Sequence, residues 1–177
     1  MTISLAIDTA TSRTIVAMVD EDQVLFEKFH EGAMDHGKAI TELVAQALKV
    51  CPVPNQVVVG MGPGPFTGLR VGITFAQTFA LARNIEVIGV CSLDAISIDQ
   101  AEYTVAIDAR RKEIYWASYK DGQRIAGPAV DKPADVEGFI LDVYPDMAKL
   151  VALSKSQNIS EPMYLRRPDA VPTAERK

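Results

Sequence analysis

Two aspartates one hundred residues apart, Asp8 and Asp108, each close an apolar tripeptide and open a polar turn. Leu5-Ala6-Ile7 leads to Asp8 and then to Thr9 through Arg13; Val105-Ala106-Ile107 leads to Asp108 and then to Ala109 through Glu113. A carboxylate at such a bend accepts the N–H groups of its own turn. Around Asp8, the hydroxyls of Thr9, Thr11 and Ser12 could donate to an anion, and after Asp108 the cations Arg110, Arg111 and Lys112 could pair with phosphate. A third run is Gly60-Met61-Gly62-Pro63-Gly64-Pro65-Phe66-Thr67-Gly68-Leu69-Arg70, fed by Val57-Val58-Val59. Strand, glycine turn and helix in that order place backbone N–H groups and a helix N-terminus at the carboxyl edge of a sheet. No Gly-Lys-Ser/Thr closes the run and the third glycine of a dinucleotide fingerprint is missing, so neither standard phosphate loop is present.

Other chemistries have less to stand on. His30 and His36 are six apart, which does not put both on one helical face. His36 reads as a helix-start or surface-loop residue, no metal site is expected, and no His-Glu-x-x-His run supports a metallopeptidase. Cys51 and Cys91 sit at the edges of apolar segments without metal spacing and read as reduced, buried thiols. No Ser/His/Asp order or Cys/His pair suggests nucleophilic catalysis.

The elements that must position these residues repeat. Strands over 4–8 and 14–19, a turn at Asp20-Glu21-Asp22 and a third strand over 23–28 are echoed by 105–108, 114–119, Asp121-Gly122 and 124–126. Ala6, Ile7, Asp8 and Ala17 recur at the same offset as Ala106, Ile107, Asp108 and Ala117, which points to duplication. Between the echoes lie a helix over 37–50, a strand over 56–60, a helix over 67–83 with Thr67 as its N-cap, a strand over 86–90 and a short helix from Ser92. This alternation predicts an α/β fold with mixed sheets and flanking helices, divided into lobes at 1–100 and 101–177. In the second lobe the expectation is helices over 133–143 and 145–156 with no substantial strand between them. The tail from Glu161 to Pro168 is expected to be extended because its prolines forbid helix. Its Tyr164 and Leu165 are expected to dock on the body, and the last nine residues to be loose.

The second of the long helices carries a distinctive face. Gly68, Gly72, Ala76 and Ala80 recur every four residues, while Val71, Ile73, Phe75, Phe79 and Leu81 spread around the circumference. Such a helix is buried on more than one side. Its own sheet supplies one cover; the other is the preceding helix or another chain. The wide apolar stripe of helix 37–50 favours another chain, with Ala39, Leu43, Ala47, Gly68, Gly72, Ala76 and Ala80 in the contact and Arg70 as its polar element. On that reading Gly72→Leu breaks association and leaves the monomer folded.

Composition sets limits. The 177 residues are 48% hydrophobic and 23% charged, with a net charge of -5, which argues against gripping nucleic acid alone. The runs Arg110-Arg111-Lys112 and Arg166-Arg167 read as solvated turn charges. The opening segment has no basic start and Asp8 cuts its apolar run short, so neither a leader nor a membrane span is expected and the chain reads as cytoplasmic.

A duplicated meander with Asp at each first bend resembles the actin-like (ribonuclease H-like) ATPase superfamily of sugar kinases and chaperone ATPases. Within it, Gly62 through Arg70, Asp8-Thr9-Ala10-Thr11 and Tyr164-Leu165-Arg166-Arg167-Pro168 resemble the bacterial TsaB (YeaZ) family, over 1–126 and again at the tail. The resemblance implies a non-catalytic scaffold that pairs through its two first-lobe helices. Its partner would be TsaD, which attaches a threonylcarbamoyl group to an adenosine beside the tRNA anticodon, or a second copy when alone. It also implies a TsaE-like ATPase in the assembled complex and tRNA reached only through that complex. TsaD holds its metal with two histidines four apart after the strand matching Glu86–Val90; Ser92 and Ile96 stand there in this chain. Asp8, Thr9, Thr11 and Asp108 sit where the superfamily places magnesium and phosphates, which leaves an ATPase or phosphotransferase as the alternative. Glycine-free hairpins argue against it, so neither ATP nor magnesium is expected to bind this chain alone. The second lobe departs from the family between Gly127 and Pro145, where it looks abbreviated.

Overall fold

The computed structural model describes residues 2–166. Strand β1 (Ile3–Asp8) sits in the middle of the first sheet because Ser4 through Asp8 are buried on both faces. It pairs antiparallel with β2 (Arg13–Asp20), which pairs with β3 (Gln23–Glu31). On its other side β1 runs parallel to β4 (Gln56–Gly60), and β4 to β5 (Glu86–Val90), giving the order β3-β2-β1-β4-β5. Alternation assigns the two faces. Leu5, Ile7, Val57 and Val59 pack under α1 (His36–Val50) and α2 (Phe66–Arg83), whereas Ala6, Ala17, Val58 and Val90 face α3 (Met147–Leu153). The last helix of the second half of the chain thus covers the first sheet.

The second sheet is ordered β8-β7-β6-β9, built from β6 (Glu102–Asp108), β7 (Ile114–Lys120), β8 (Gln123–Asp131) and β9 (Phe139–Ile140). The duplicated α/β architecture is therefore the one expected, and β3-β2-β1-β4 maps onto β8-β7-β6-β9. The echo slips by one residue: Ala6 pairs with Ala17, but Ala106 pairs with Trp116 and Val105 with Ala117. The second hairpin is one residue tighter, and it achieves this with Arg110, Arg111 and Lys112 all in the left-handed region at φ 65°, 54° and 62°.

Three expectations are corrected here. No α-helix spans 133–143; a 3-10 turn at Pro133–Asp135 is followed by β9, which pairs parallel with β6 through Thr104–Phe139 and Val105–Ile140. Gly138 and Asp142, at φ 63° and 57°, interrupt any helix there. The third strand of the second meander continues to Asp131 because β8 is a sheet edge, where Pro128 costs no ladder hydrogen bond. Helix α2 begins one residue before Thr67, which is exposed, with Pro65 in the capping position and no side-chain cap.

The tail is extended and ties the molecule together. The Ile159 N–H donates to the Gly89 carbonyl (2.8 Å), the Met163 N–H to the Met61 carbonyl (2.8 Å), and Leu165 joins the core between the second sheet and residues Cys91, Leu93 and Ile96. Cys91 is buried and Cys51 half-buried, both as free thiols. Arg167, Pro168 and the last nine residues lie outside the described residues.

Candidate functional site

The glycines of the central run meet the first hairpin turn one after another. A Cβ on Gly60 would lie 1.9 Å from Asp8 Oδ2, one on Gly64 2.6 Å from the Ala10 carbonyl oxygen, one on Gly68 2.6 Å from the Thr9 carbonyl oxygen, and one on Gly72 2.3 Å from Thr9 Oγ1. Thr9 Oγ1 donates to the Gly68 carbonyl (2.7 Å). The run is a seat for residues 8–10, built of glycine because main chain and short side chains pass within contact distance.

Asp8 is enclosed by that seat. Its Oδ1 accepts the Ala10 N–H (2.9 Å), and its Oδ2 accepts the Ser92 hydroxyl (2.6 Å), whose oxygen also accepts the Gly62 N–H (3.2 Å). The side chain is fully buried, and desolvation pushes its carboxyl up to about 6, more than the two hydrogen bonds pull it down. The cap at the bend was legible in the sequence; Ser92, eighty-four residues away, was not. Asp108 is different: it is exposed, its Oδ1 accepts the Arg110 N–H (2.8 Å), and Arg110 Nη1 lies 3.6 Å from its Oδ2. Thr11 is buried, and its hydroxyl oxygen accepts the Arg13 N–H (3.1 Å).

Between the two hairpins lies a cleft of about 250 Å³, lined on one side by Thr11, Ser12 and Pro65 and on the other by Ile107, Asp108 and Arg110. Leu141 through Tyr144 close it from above, and the Arg13 guanidinium stacks 3.5 Å from the Tyr144 ring and 4.1 Å from Phe29. Of the four residues read as a vestigial nucleotide site, Thr11 and Asp108 line this cleft while Asp8 and Thr9 are turned into the glycine seat. The histidines do separate jobs: buried His36 shares a hydrogen bond with the Thr14 hydroxyl through Nδ1 (2.8 Å), whereas exposed His30 lies 3.8 Å from Asp35. Burial lowers the His36 pKa, so the ring is neutral. Among the described residues no group of three or more His, Cys, Asp or Glu is placed to hold a metal ion.

The small-residue face is corrected by the same geometry. Ala39, Leu43, Ala47, Gly68, Gly72, Ala76 and Ala80 are all buried within the chain, spent on packing α1 and α2 against the sheet and the 8–10 turn. A side chain at Gly72 would strike Thr9, so Gly72→Leu disrupts the monomer itself. The surface these helices leave outward is a shallow groove of about 460 Å³ lined by Gly37, Arg70, Val71, Thr74, Phe75 and Thr78, with Ile40 at its floor. Only Arg70 from the expected set is exposed there, its guanidinium 4.1 Å from the Phe66 ring. The basic tail residue is also corrected: Arg166 is no solvated charge, since it pairs with Glu113 and donates to the Ala109 carbonyl (2.9 Å).

The model of the family described as TsaD, tRNA N6-adenosine threonylcarbamoyltransferase, matches residues 27–170. An uncharacterized protein of Mycobacterium leprae is 43% identical over 97% of this chain and 57% of its own length. The tRNA threonylcarbamoyladenosine biosynthesis protein TsaB of Escherichia coli is 35% identical over 66% of this chain and 54% of its own. The chain thus spans just over half the length of these curated relatives. A solved structure of an uncharacterized Pseudomonas aeruginosa protein, similar to YeaZ, shares the fold with a TM-score of 0.79 at 23% identity, covering 94% of this chain and all of that one.

Proposed function

This chain belongs to the TsaB (YeaZ) branch of the family that the TsaD model describes, and from that premise we propose that it serves tRNA threonylcarbamoyladenosine biosynthesis as a non-catalytic subunit. Its work is to bind and order a TsaD-like catalytic subunit, in a cytoplasmic complex that a TsaE-like ATPase completes; alone it pairs with a second copy. The observation that carries this reading is the outward face of α1 and α2. Across the eighteen residues of α2 the only charges are Arg70 and Arg83, and Val71, Thr74, Phe75 and Thr78 form a groove with no carboxylate. Leu81, further along, is 84% exposed. A solvent face on a helix ordinarily carries charges of both signs, and a partly apolar one whose single charge is Arg70 fits a protein contact.

Thr74 and Thr78 are exposed, so replacing both with Glu leaves the fold intact while placing two unpaired carboxylates in the contact. Light scattering after size exclusion is expected to show a one-to-one complex of the wild type with the TsaD-like protein of the same organism. The Thr74→Glu/Thr78→Glu variant is expected to elute separately with an unchanged melting temperature. A complex that survives both substitutions overturns the assignment of this face.

The competing reading is an ATPase or phosphotransferase using Asp8 and Asp108 with magnesium. Asp8 speaks against it: both of its oxygens are engaged and its Oδ2 faces Ser92 across Gly60. On the scaffold reading this chain alone takes neither ATP nor magnesium, so millimolar magnesium-ATP leaves its melting temperature where it was. Ligand at one hundred times its dissociation constant would add about 2.7 kcal/mol, an easily seen upward shift that would restore the enzyme reading.

A further inference from the structure

Five of the chain's eighteen Lys and Arg residues line up with exposed aromatics along one strip, which starts at Arg70 on the rim of the subunit groove and runs away from it. Arg70 covers one side of the Phe66 ring at 4.1 Å, and Phe66 meets Tyr164 with ring centroids 4.7 Å apart. Phe66 and Tyr164 are 45% and 38% exposed. Two residues beyond Tyr164, a step of roughly 7 Å in extended chain, Arg166 donates to the carbonyls of Ala109 and Arg110 and so fixes the tight β6–β7 turn against the tail. That turn presents Arg110, Arg111 and Lys112 at the surface in three successive left-handed conformations. Non-glycine residues enter that region singly as a rule. Here the turn's backbone is held from beneath by a guanidinium that belongs to the tail. Within the strip Asp108 pairs with Arg110 and Glu113 with Arg166.

We propose that this strip, from Arg70 through Phe66 and Tyr164 to the turn at Arg110-Arg111-Lys112, is a docking surface for a single-stranded loop of RNA. Unpaired bases stack on aromatic rings and on guanidinium planes, and the phosphates between them require cations along the same path. The strip supplies both, in sequence: guanidinium, two rings, then the basic turn. An acidic peptide would use the cations but leave the two rings idle. The choice of RNA over DNA rests on the family reading above; the surface itself does not depend on it. Direct contact here departs from the expectation that RNA is reached only through the partner, and it accounts for why five cations of a chain with net charge -5 stand in line with two exposed aromatics.

The test uses the full chain and a short fluorescein-labelled single-stranded RNA, read by fluorescence anisotropy at low and at moderate salt. The wild type binds the single strand more tightly than the same RNA annealed to its complement, and binding weakens with salt. Tyr164→Ala weakens it about five- to 150-fold, the worth of one stacked base. Lys112→Glu, on the exposed turn and away from the core, weakens it and flattens the salt dependence. Equal affinity for duplex, or unchanged binding by both variants, overturns the proposal. Complex formation with the TsaD-like protein is measured on the same Tyr164→Ala and Lys112→Glu proteins and is expected to persist. RNA binding lost with the complex intact supports the strip. A complex that fails to form with wild-type chain, while the RNA result stands, counts against the subunit reading alone.

Discussion

Gly60→Ala is expected to destabilise the protein by about 2–6 kcal/mol, the cost of leaving two buried polar groups without partners at about 1–3 kcal/mol each, and so to remove a large part of a typical stability of about 5–15 kcal/mol. The added methyl would sit 1.9 Å from Asp8 Oδ2, 2.5 Å from Ser92 Oγ and 2.9 Å from Asp8 Cγ. None of these atoms is the free end of a flexible chain. Asp8 is held by the Ala10 N–H and the Ser92 hydroxyl, and Ser92 is itself held by Gly62 on both its side chain and its N–H. Room for the methyl can be made only by turning the carboxylate away, which leaves a buried oxygen and a buried hydroxyl without partners. Urea unfolding should show the midpoint collapse. The cause is separable from a general intolerance of side chains at the end of β4. In the Asp8→Ala/Ser92→Ala background there is neither a carboxylate nor a hydroxyl to strike, so adding Gly60→Ala there should cost little more. A fully additive cycle, or a Gly60→Ala protein with the wild-type midpoint, would show that the seat is not set by Asp8.

How much of this was legible depends on the range of the interactions. The meander, its repeat, the two long helices of the first half and the bends at Asp8 and Asp108 rest on local pattern, and the structure has them. The role of the small-residue face was not legible. Gly68, Gly72, Ala76 and Ala80 announce that something approaches closely, but periodicity says nothing of what approaches; at Gly68 and Gly72 it is the Thr9 turn, fifty-nine residues upstream of Gly68, and Ala76 and Ala80 join the core under the helices. Ser92 as partner of Asp8 failed for the same reason: neither residue carries a mark of the other. In the second lobe, Phe139 and Ile140 lie in a stretch that reads as a weak helix, and only the open edge of β6 makes a two-residue strand of them. Arg166 looked like a solvated charge because its acceptors, the carbonyls of a turn over fifty residues earlier, exist only once the hairpin is folded. What local pattern could not supply, in each case, was the identity of a distant contact.

Asp8→Asn is expected to become progressively more stable relative to the wild type as pH rises from about 4 to about 6, by about 3 kcal/mol in all. The carboxyl of Asp8 stands at about 6 in the folded chain against 3.8 in the absence of the fold, raised chiefly by desolvation. Between those values the folded state binds the proton that the unfolded state has released, so each step up in pH favours unfolding through this group. Below about 4 both states are protonated and above about 6 neither is, so the effect is confined to that window. A gap of about two pKa units corresponds to about 3 kcal/mol at 1.36 kcal/mol per unit. The sign is opposite to that of an ion-paired surface carboxylate, whose contribution grows with pH, and the comparison with Asn cancels those other groups. An Asn at position 8 keeps an oxygen for the Ala10 N–H and an amide within reach of Ser92 Oγ, so packing changes little. Urea midpoints measured in parallel across that pH range would reveal the widening gap. A gap independent of pH, or one that closes as pH rises, would mean that Asp8 is ionised as readily as a solvated carboxylate. That result would also reopen the case for a cation at this position. A carboxylate whose burial disfavours its charge, and whose two oxygens are already committed to Ala10 and Ser92, is suited to tying the first turn to the glycine seat. It is poorly suited to holding magnesium.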